Sequence, residues 1–402
     1  MENSMKITLL VFSDFPDGSA MGRRTHFLSK GLAELGHEVH VVVAQRFKVG
    51  PLYEEFDGLK VHWGALTTQE TFHDMGERLR ARWAAYKVVR QLFKKEMDWL
   101  ILIFPELDRL PYLLLAKMRG VKVISTYEDH RCLPPNPTIK ERLLVLRGNF
   151  ADKVIPRLTD LNLAISKFLE DRIYNIAPRT PIFICPPIVD TELFSNQTEK
   201  TEKFRSKWNL KGHIIISYLG TYWYVEGLAI LLAAASLLKK AGLKFKLVIS
   251  GKAHLGFPGD DVPALIKKYE LDDVVIETGW LLTDEVIAGM SVADILVVPK
   301  LNHTANIAGM PTKLAEYLAV GSAIVASRVG DIPLYLTDNE DALLSEPNDP
   351  QSLAEKLRLL ILDESLRKSL SRKARETAFK YFDYRMVSKN LEAIMIQQGR
   401  LR

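Results

Sequence analysis

Lys313 and Glu316 stand three residues apart, just behind Pro311, at what reads as the start of a helix. A helix start presents free N–H groups and the positive end of its dipole, so it receives anions. Lys313 adds an ammonium there, and Glu316 adds a carboxylate able to accept hydrogen bonds from the paired hydroxyls of a sugar. Phosphate and ribose recognition thus fit within five residues at this helix start, the makings of a nucleotide-sugar site. The plainer alternative is a surface ion pair at i,i+3, worth only about 0.2–0.5 kcal/mol. A second group is Glu128, Asp129 and His130, three ionisable side chains after an apolar run. They are suited to positioning sugar hydroxyls or moving a proton, or form a solvated acidic loop. Gly22, Thr221, Lys252 and Lys300 each follow an apolar run or open a turn where a phosphate could approach; tight turns and exposed lysines explain them equally well. His26 and Asp294 read as structural.

The elements that must position these groups alternate. Ile7–Phe12, Glu38–Val43, Trp99–Phe104, Val121–Thr126, Leu161–Ile165 and Ile182–Cys185 are short apolar runs suited to buried strands, and His26–Leu35 has helical spacing ended by Gly36. Cys185-Pro186-Pro187 and the polar run 196–202 read as a linker. The alternation then resumes with Ile214–Leu219, a helix over Leu228–Ala241, and strands at Phe245–Ser250, Val274–Thr278, Ile295–Val298 and Ala323–Ala326. The expectation is an α/β chain with two doubly wound, Rossmann-like domains, 1–195 and 196–378, and a C-terminal helix over 379–402 returning to the first. Such sheets bind ligands beyond their strand C-terminal ends.

Composition narrows the function. The chain has 402 residues, 47% hydrophobic, a net charge of +5 and two cysteines, Cys132 and Cys185. That length accommodates two ordinary domains. The mild basic excess carries no nucleic-acid module. With neither CxxC nor Cys/His cluster, no metal is expected, and a reduced, cytoplasmic setting fits. The run at 7–12 is too short for a signal-peptide core, and no run approaches a membrane span. GxGxxG is absent, which counts against a dinucleotide cofactor. Residues 78–95 combine Arg78, Arg80, Arg82, Lys87, Arg90, Lys94 and Lys95 with Leu79, Trp83, Tyr86, Val89 and Phe93 at helical spacing. This predicts either a helix able to lie on an anionic membrane or a core-packed helix with a basic outer face.

In order and spacing these pieces resemble the retaining glycosyltransferases of the GT-B fold that build polysaccharides and glycolipids. Gly36-His-Glu-Val39, the stretch from Ile184 to Phe194, Ala293-Asp-Ile295, Glu316-Tyr-Leu-Ala-Val-Gly321 and Asp331-Ile-Pro333 carry the likeness across nearly the whole chain. It implies that Glu316 binds the donor ribose, that Gly309 to Lys313 hold the diphosphate, and that Met21-Gly22 are the family's paired-glycine loop. Asp129 aligns with the family's acid near the reacting sugar and Glu128 with its usual histidine. Three positions depart: Ala308 replaces the first of the family's two glutamates, while Thr221 and Glu226 replace the usual arginine and lysine after the first strand of the second domain. Lys313, Lys300 or Lys252 are expected to compensate, Lys313 chiefly. The resemblance implies sugar transfer from a nucleoside diphosphate donor to a glycan or lipid-linked hydroxyl, with retention and without a metal or other cofactor. The absence of a paired-carboxylate constellation fits front-face attack better than double displacement. A nucleotide-sugar 2-epimerase and a non-catalytic donor-binding partner of another transferase are the alternatives.

Overall fold

The computed structural model describes residues 4–16, 19–44, 52–64, 75–131, 133, 137–194, 197–253 and 259–400. In chain order the first part runs β1 (Lys6–Val11), α1 (Ala20–Glu34), β2 (Glu38–Val43), β3 (Tyr53–Phe56), β4 (Leu59–Trp63), α2 (Met75–Leu92), β5 (Trp99–Ile103), α3 (Leu110–Met118), β6 (Lys122–Tyr127), α4 (Ile139–Val154), β7 (Leu161–Ala164), α5 (Lys167–Ile176) and β8 (Ile182–Ile184). The second runs α6 (Thr198–Lys207), β9 (Ile215–Thr221), α7 (Leu228–Lys240), β10 (Lys246–Lys252), α8 (Val262–Lys268), β11 (Val275–Gly279), α9 (Thr283–Ser291), β12 (Ile295–Val298), α10 (Thr304–Ala308), α11 (Thr312–Val320), β13 (Ala323–Ser327), α12 (Ile332–Tyr335), β14 (Leu343–Ser345), α13 (Pro350–Leu362) and α14 (Glu364–Tyr381), before α15 (Tyr384–Arg400) ends the chain.

Two compact units result. The first comprises residues 1–188 and 384–402, the second 189–383. The divisions therefore fall away from the expected 195/196 and 378/379. Val189 N–H donates to the Phe382 carbonyl at 2.9 Å and the Thr191 hydroxyl to the buried Asp383 carboxylate at 2.6 Å, so 189–194 are fastened to the end of α14. The polar run expected to be linker is largely α6, which packs against α9 and buries Phe204. Its charged residues are the outer face of a helix.

The first sheet has the order β3-β4-β2-β1-β5-β6-β7-β8, parallel except for β3 against β4. Both of its faces are covered, which is why β5 (WLILI) is buried throughout. Along β1, Ile7, Leu9 and Val11 join the core beneath α1 and α15, whereas Leu10 joins the core beneath α2 and α3. The second sheet has the order β11-β10-β9-β12-β13-β14, all parallel. Strand β9 carries β10 on one edge and β12 on the other, so the chain reverses its direction of travel between β9 and β12. Open parallel sheets present their binding crevice beyond the strand ends at such a point.

Candidate functional site

The segments leaving β9 and β12 meet at that reversal point in the second unit. The buried Asn306 of α10 donates from Nδ2 to the carbonyls of Val225 and Leu301, both at 2.8 Å, and so ties the two segments together. Lys300, just past β12, and Lys313, in the first turn of α11, converge on Glu226, just past β9. Lys300 Nζ meets Glu226 Oε1, and Lys313 Nζ lies 2.6 Å from Oε2. The three side chains are only 10–15% exposed, so the charges are paired largely out of water. Lys313 also donates to the Tyr218 hydroxyl at 3.2 Å, and its ammonium lies 4.4 Å from that ring's centroid. Gly220 makes room for it, because a Cβ there would run into Nζ. Tyr317 pins the same helix to β9: its hydroxyl accepts from Leu219 N–H at 2.8 Å and donates to the Leu219 carbonyl at 3.1 Å.

Burial alone pushes the Glu226 carboxyl up, but the two ammonium groups overturn that and hold it at about 2. Burial pulls Lys313 below the ordinary lysine value, against the attraction of Glu226. Glu226 therefore sits at neutral pH as a carboxylate shared by two cations. Lys313 and Lys300, expected as diphosphate ligands, already share an internal anion, leaving a summed formal charge of +1 instead of +2. A phosphate can still be attracted there, but it competes with or joins a carboxylate.

The remaining candidates in this unit sit around the triad. Gly309 caps the end of α10, Met310 is buried, Pro311 immediately precedes α11, and Thr312 is exposed in its first turn. Glu316 is half-buried one turn on from Lys313, near enough for its charge to favour protonated Lys313. Thr221 is half-buried, with its carbonyl accepting from the Tyr218 hydroxyl at 2.8 Å. Lys252 is exposed and lies 4.2 Å from the centroid of Trp280. Asp294 has the structural role expected of it, accepting from Ile215 N–H at 2.8 Å.

In the first unit the expected trio diverges. Glu128 turns inward to Arg24, whose Nε lies 3.3 Å from its carboxylate. Arg24 is itself buried and donates to the carbonyls of Pro186 and, at 2.6 Å, Cys185. Burial pushes the Glu128 carboxyl above its ordinary value despite the opposing pull of Arg24. His130 turns aside to Arg172, whose guanidinium lies 2.7 Å from Nδ1, and meets Phe168 edge to face. Burial, then Arg172, lowers its basicity, which favours the neutral ring. Asp129 remains exposed, its carboxylate accepting from His130 N–H at 2.8 Å. Gly22 packs in the first turn of α1, where a Cβ would strike the Asp14 carbonyl, and its N–H donates to the capping Ser19 hydroxyl at 2.9 Å. Asp17 and Gly18 of the same loop lie outside the described residues. His26 pairs with Asp57 at 2.9 Å and meets Phe15 edge to face, in keeping with a structural part.

Arg24, Asn306, Tyr218 and Tyr317 were not among the expected residues. Each has a partner about 80 or more residues away, at Cys185, Val225, Lys313 and Leu219 respectively, so no local spacing announces that contact. Glu226 stood out only as a departure, although its place just past β9 matched that of Lys300 past β12. Among the described residues, no group of three or more His, Cys, Asp or Glu side chains is placed to hold a metal ion.

The family described as "Glycosyl transferases group 1" matches residues 200–377, and "Glycosyltransferase Family 4" matches residues 21–193. Both halves of this chain thus match glycosyltransferase families, the second half that of group 1. Among curated relatives of this transferase is the putative colanic acid biosynthesis glycosyltransferase WcaL of Salmonella typhimurium, 28% identical over 42% of each chain. A D-inositol 3-phosphate glycosyltransferase of Corynebacterium aurimucosum is 26% identical over 55% of this chain and 52% of its own. The alignments thus span about half the length of these relatives. Solved structures share the GT-B fold along almost the whole transferase. Sucrose-phosphate synthase of Thermosynechococcus elongatus gives a TM-score of 0.74 at 17% identity over 98% of both chains. Anabaena HepE, solved in complex with UDP-glucose, gives 0.72 at 14% identity over 98% of this chain and all of its own.

Proposed function

We propose that this transferase moves a sugar from a nucleoside diphosphate donor to a hydroxyl of a glycan or lipid-linked intermediate in polysaccharide or glycolipid synthesis, with retained anomeric configuration. The observation that carries this reading is the convergence of Lys300, Lys313 and the start of α11 beyond β9 and β12, with Glu316 one turn on. The ammonium groups and the first N–H groups of α11 attract the diphosphate. Glu316 accepts hydrogen bonds from the ribose hydroxyls. As the glycosidic bond breaks, negative charge grows on the leaving diphosphate and positive charge on the sugar, and preorganised cations stabilise the former. The charge of Lys313 and Lys300, already held in place by Glu226 and Tyr218, needs little rearrangement. Met310 and Pro311 set the backbone of the turn, while Thr221 and Lys252 flank the diphosphate. The first unit takes the acceptor side, with Asp129 as its exposed carboxylate near the reacting sugar. No metal takes part in this scheme. UDP-glucose bound to Anabaena HepE is the precedent in kind for the donor.

Among the described residues no helix is long and apolar enough to cross a membrane. We place the enzyme in the cytoplasm, working at the membrane surface where lipid-linked acceptors reside.

Isothermal titration with UDP, GDP and their sugar conjugates tests the donor site. Glu316→Ala should weaken nucleotide binding about tenfold, the equivalent of one or two hydrogen bonds, while leaving the melting temperature in place. Unchanged affinity would remove the ribose role. Free epimerised sugar in place of a transferred one would replace transfer by epimerisation.

A further inference from the structure

Helix α4 turns its apolar stripe outward. Of its residues only Gly148 and Ala151 are buried. Ile139, Leu143, Leu146 and Phe150 are 79%, 61%, 64% and 57% exposed. At about 100° per residue these four positions fall within an arc of about 60°, so they form one continuous ridge. Arg142 and Lys153 border the ridge on one side, Lys140 and Arg147 on the other, and all four are exposed. The acids of the helix lie on the opposite, inner side. Glu141 is engaged in the capping box with Thr138, and Asp152 faces Arg172 at 3.6 Å and Arg131 at 3.9 Å. The outward surface is therefore apolar at its centre and basic along both margins.

The same layer carries more of this character. Helices α2, α3 and α4 share a core through Ala85, Val89, Tyr112, Leu113, Ala116 and Ala151. Outside that core, Leu79 and Trp83 of α2 and Leu114 and Met118 of α3 are more than half exposed. The basic helix singled out in the sequence does contribute, but only in part. Its Val89 and Phe93 are buried, leaving Leu79 and Trp83 outside with Lys87 and Arg90.

We infer that α4 is the membrane-seating element of this enzyme, lying in the plane of a bilayer with its ridge among the acyl chains and its basic margins on anionic headgroups. Charge decides the occupant. In a symmetric contact between two copies of this ridge, basic margins would be brought against basic margins, whereas an anionic lipid surface neutralises them. A helix with an apolar ridge and lysines and arginines on both shoulders is suited to the headgroup boundary. The inference deepens the peripheral placement proposed above and is independent of the donor chemistry, since failed nucleotide binding would remove the transfer reading and leave this one standing.

Vesicle sedimentation with the full chain tests it, using phosphatidylcholine vesicles with and without phosphatidylglycerol. The wild type should bind the anionic vesicles and lose most of that binding in high salt. Leu143→Ser combined with Leu146→Ser should reduce binding on the order of tenfold or more. Arg142→Glu combined with Lys153→Glu should do so on a similar scale. Both variants remove exposed side chains, so their melting temperatures should stay near that of the wild type, which separates lost seating from lost folding. Wild-type chain that stays in the supernatant with anionic vesicles would overturn the inference, as would α4 variants that bind like the wild type. A self-association that the leucine variant abolishes, without vesicle binding, would assign the ridge to a second copy instead.

Discussion

Two withdrawn glutamates, one in each unit, meet opposite fates. Glu226 lies between Lys300 and Lys313, and its carboxyl is held at about 2. Glu128 has Arg24 alone, at 3.3 Å, and its carboxyl is pushed above the ordinary value. Burial acts in the same direction on both. The difference is the number and freedom of the cations: Glu226 has two ammonium groups aimed at separate oxygens, whereas Arg24 divides its guanidinium between Glu128 and the carbonyls of Cys185 and Pro186. Burial thus raises a carboxyl unless enough undivided positive charge faces it. The consequence for function is equally unlike. Glu226 is a fixed negative charge between two ammonium groups at the proposed donor site, and Glu128 is a carboxyl whose proton is easier to keep.

The strongest way to break the comparison is Glu226→Gln. It leaves two largely buried ammonium groups without their carboxylate, and a loss of about 3–5 kcal/mol is expected from urea unfolding. The same change frees Lys300 and Lys313, so added UDP should raise the melting temperature more in the variant than in the wild type. Equal shifts would mean that phosphate does not reach the two lysines.

Acid unfolding sharpens it next. Because the Glu226 carboxyl is lowered from 4.5 to about 2 in the folded chain, its contribution of about 3 kcal/mol is complete above pH 4.5 and disappears as the pH falls toward 2. Glu128 has the opposite sign: its raised carboxyl favours the folded state most when protonated, and that advantage is lost as the pH rises from 4.5 through its folded value. Stability measured from pH 2 to 7 should therefore lose its acid-side slope in Glu226→Gln. A slope unchanged in that variant would mean that other carboxylates set it.

The smallest effect is expected of Glu128→Gln. Arg24 keeps its two carbonyl acceptors, so the cost in urea unfolding should be about 1–2 kcal/mol. A loss as large as that of Glu226→Gln would erase the distinction between the two sites.

Much of the scaffold was legible because buried parallel strands must be apolar on both faces. Runs such as Trp99–Ile103 and Ile295–Val298 announce themselves in this way. The hairpin β3–β4 did not, since it lies at the sheet's edge, with two adjacent glutamates in β3 and with Lys60 and His62 interrupting the apolar residues of β4; β14 was too short to stand out. Helix α4 illustrates a deeper limit. An apolar stripe has the same spacing whether it faces a core or a solvent boundary, and only the neighbours of Ile139 and Phe150 reveal which.

The proposed donor region divides along the same line. The residue types by themselves determined that a cationic helix start with a carboxylate one turn on would lead into a buried strand, because spacing within α11 places Lys313 and Glu316 together. Only the tertiary structure decided that Lys313 and Lys300 would share Glu226. Those residues are far apart in the chain and become neighbours because β9 and β12 lie side by side. Electrostatic pairing depends on distance in space and on exclusion of water, and neither is a property of sequence separation.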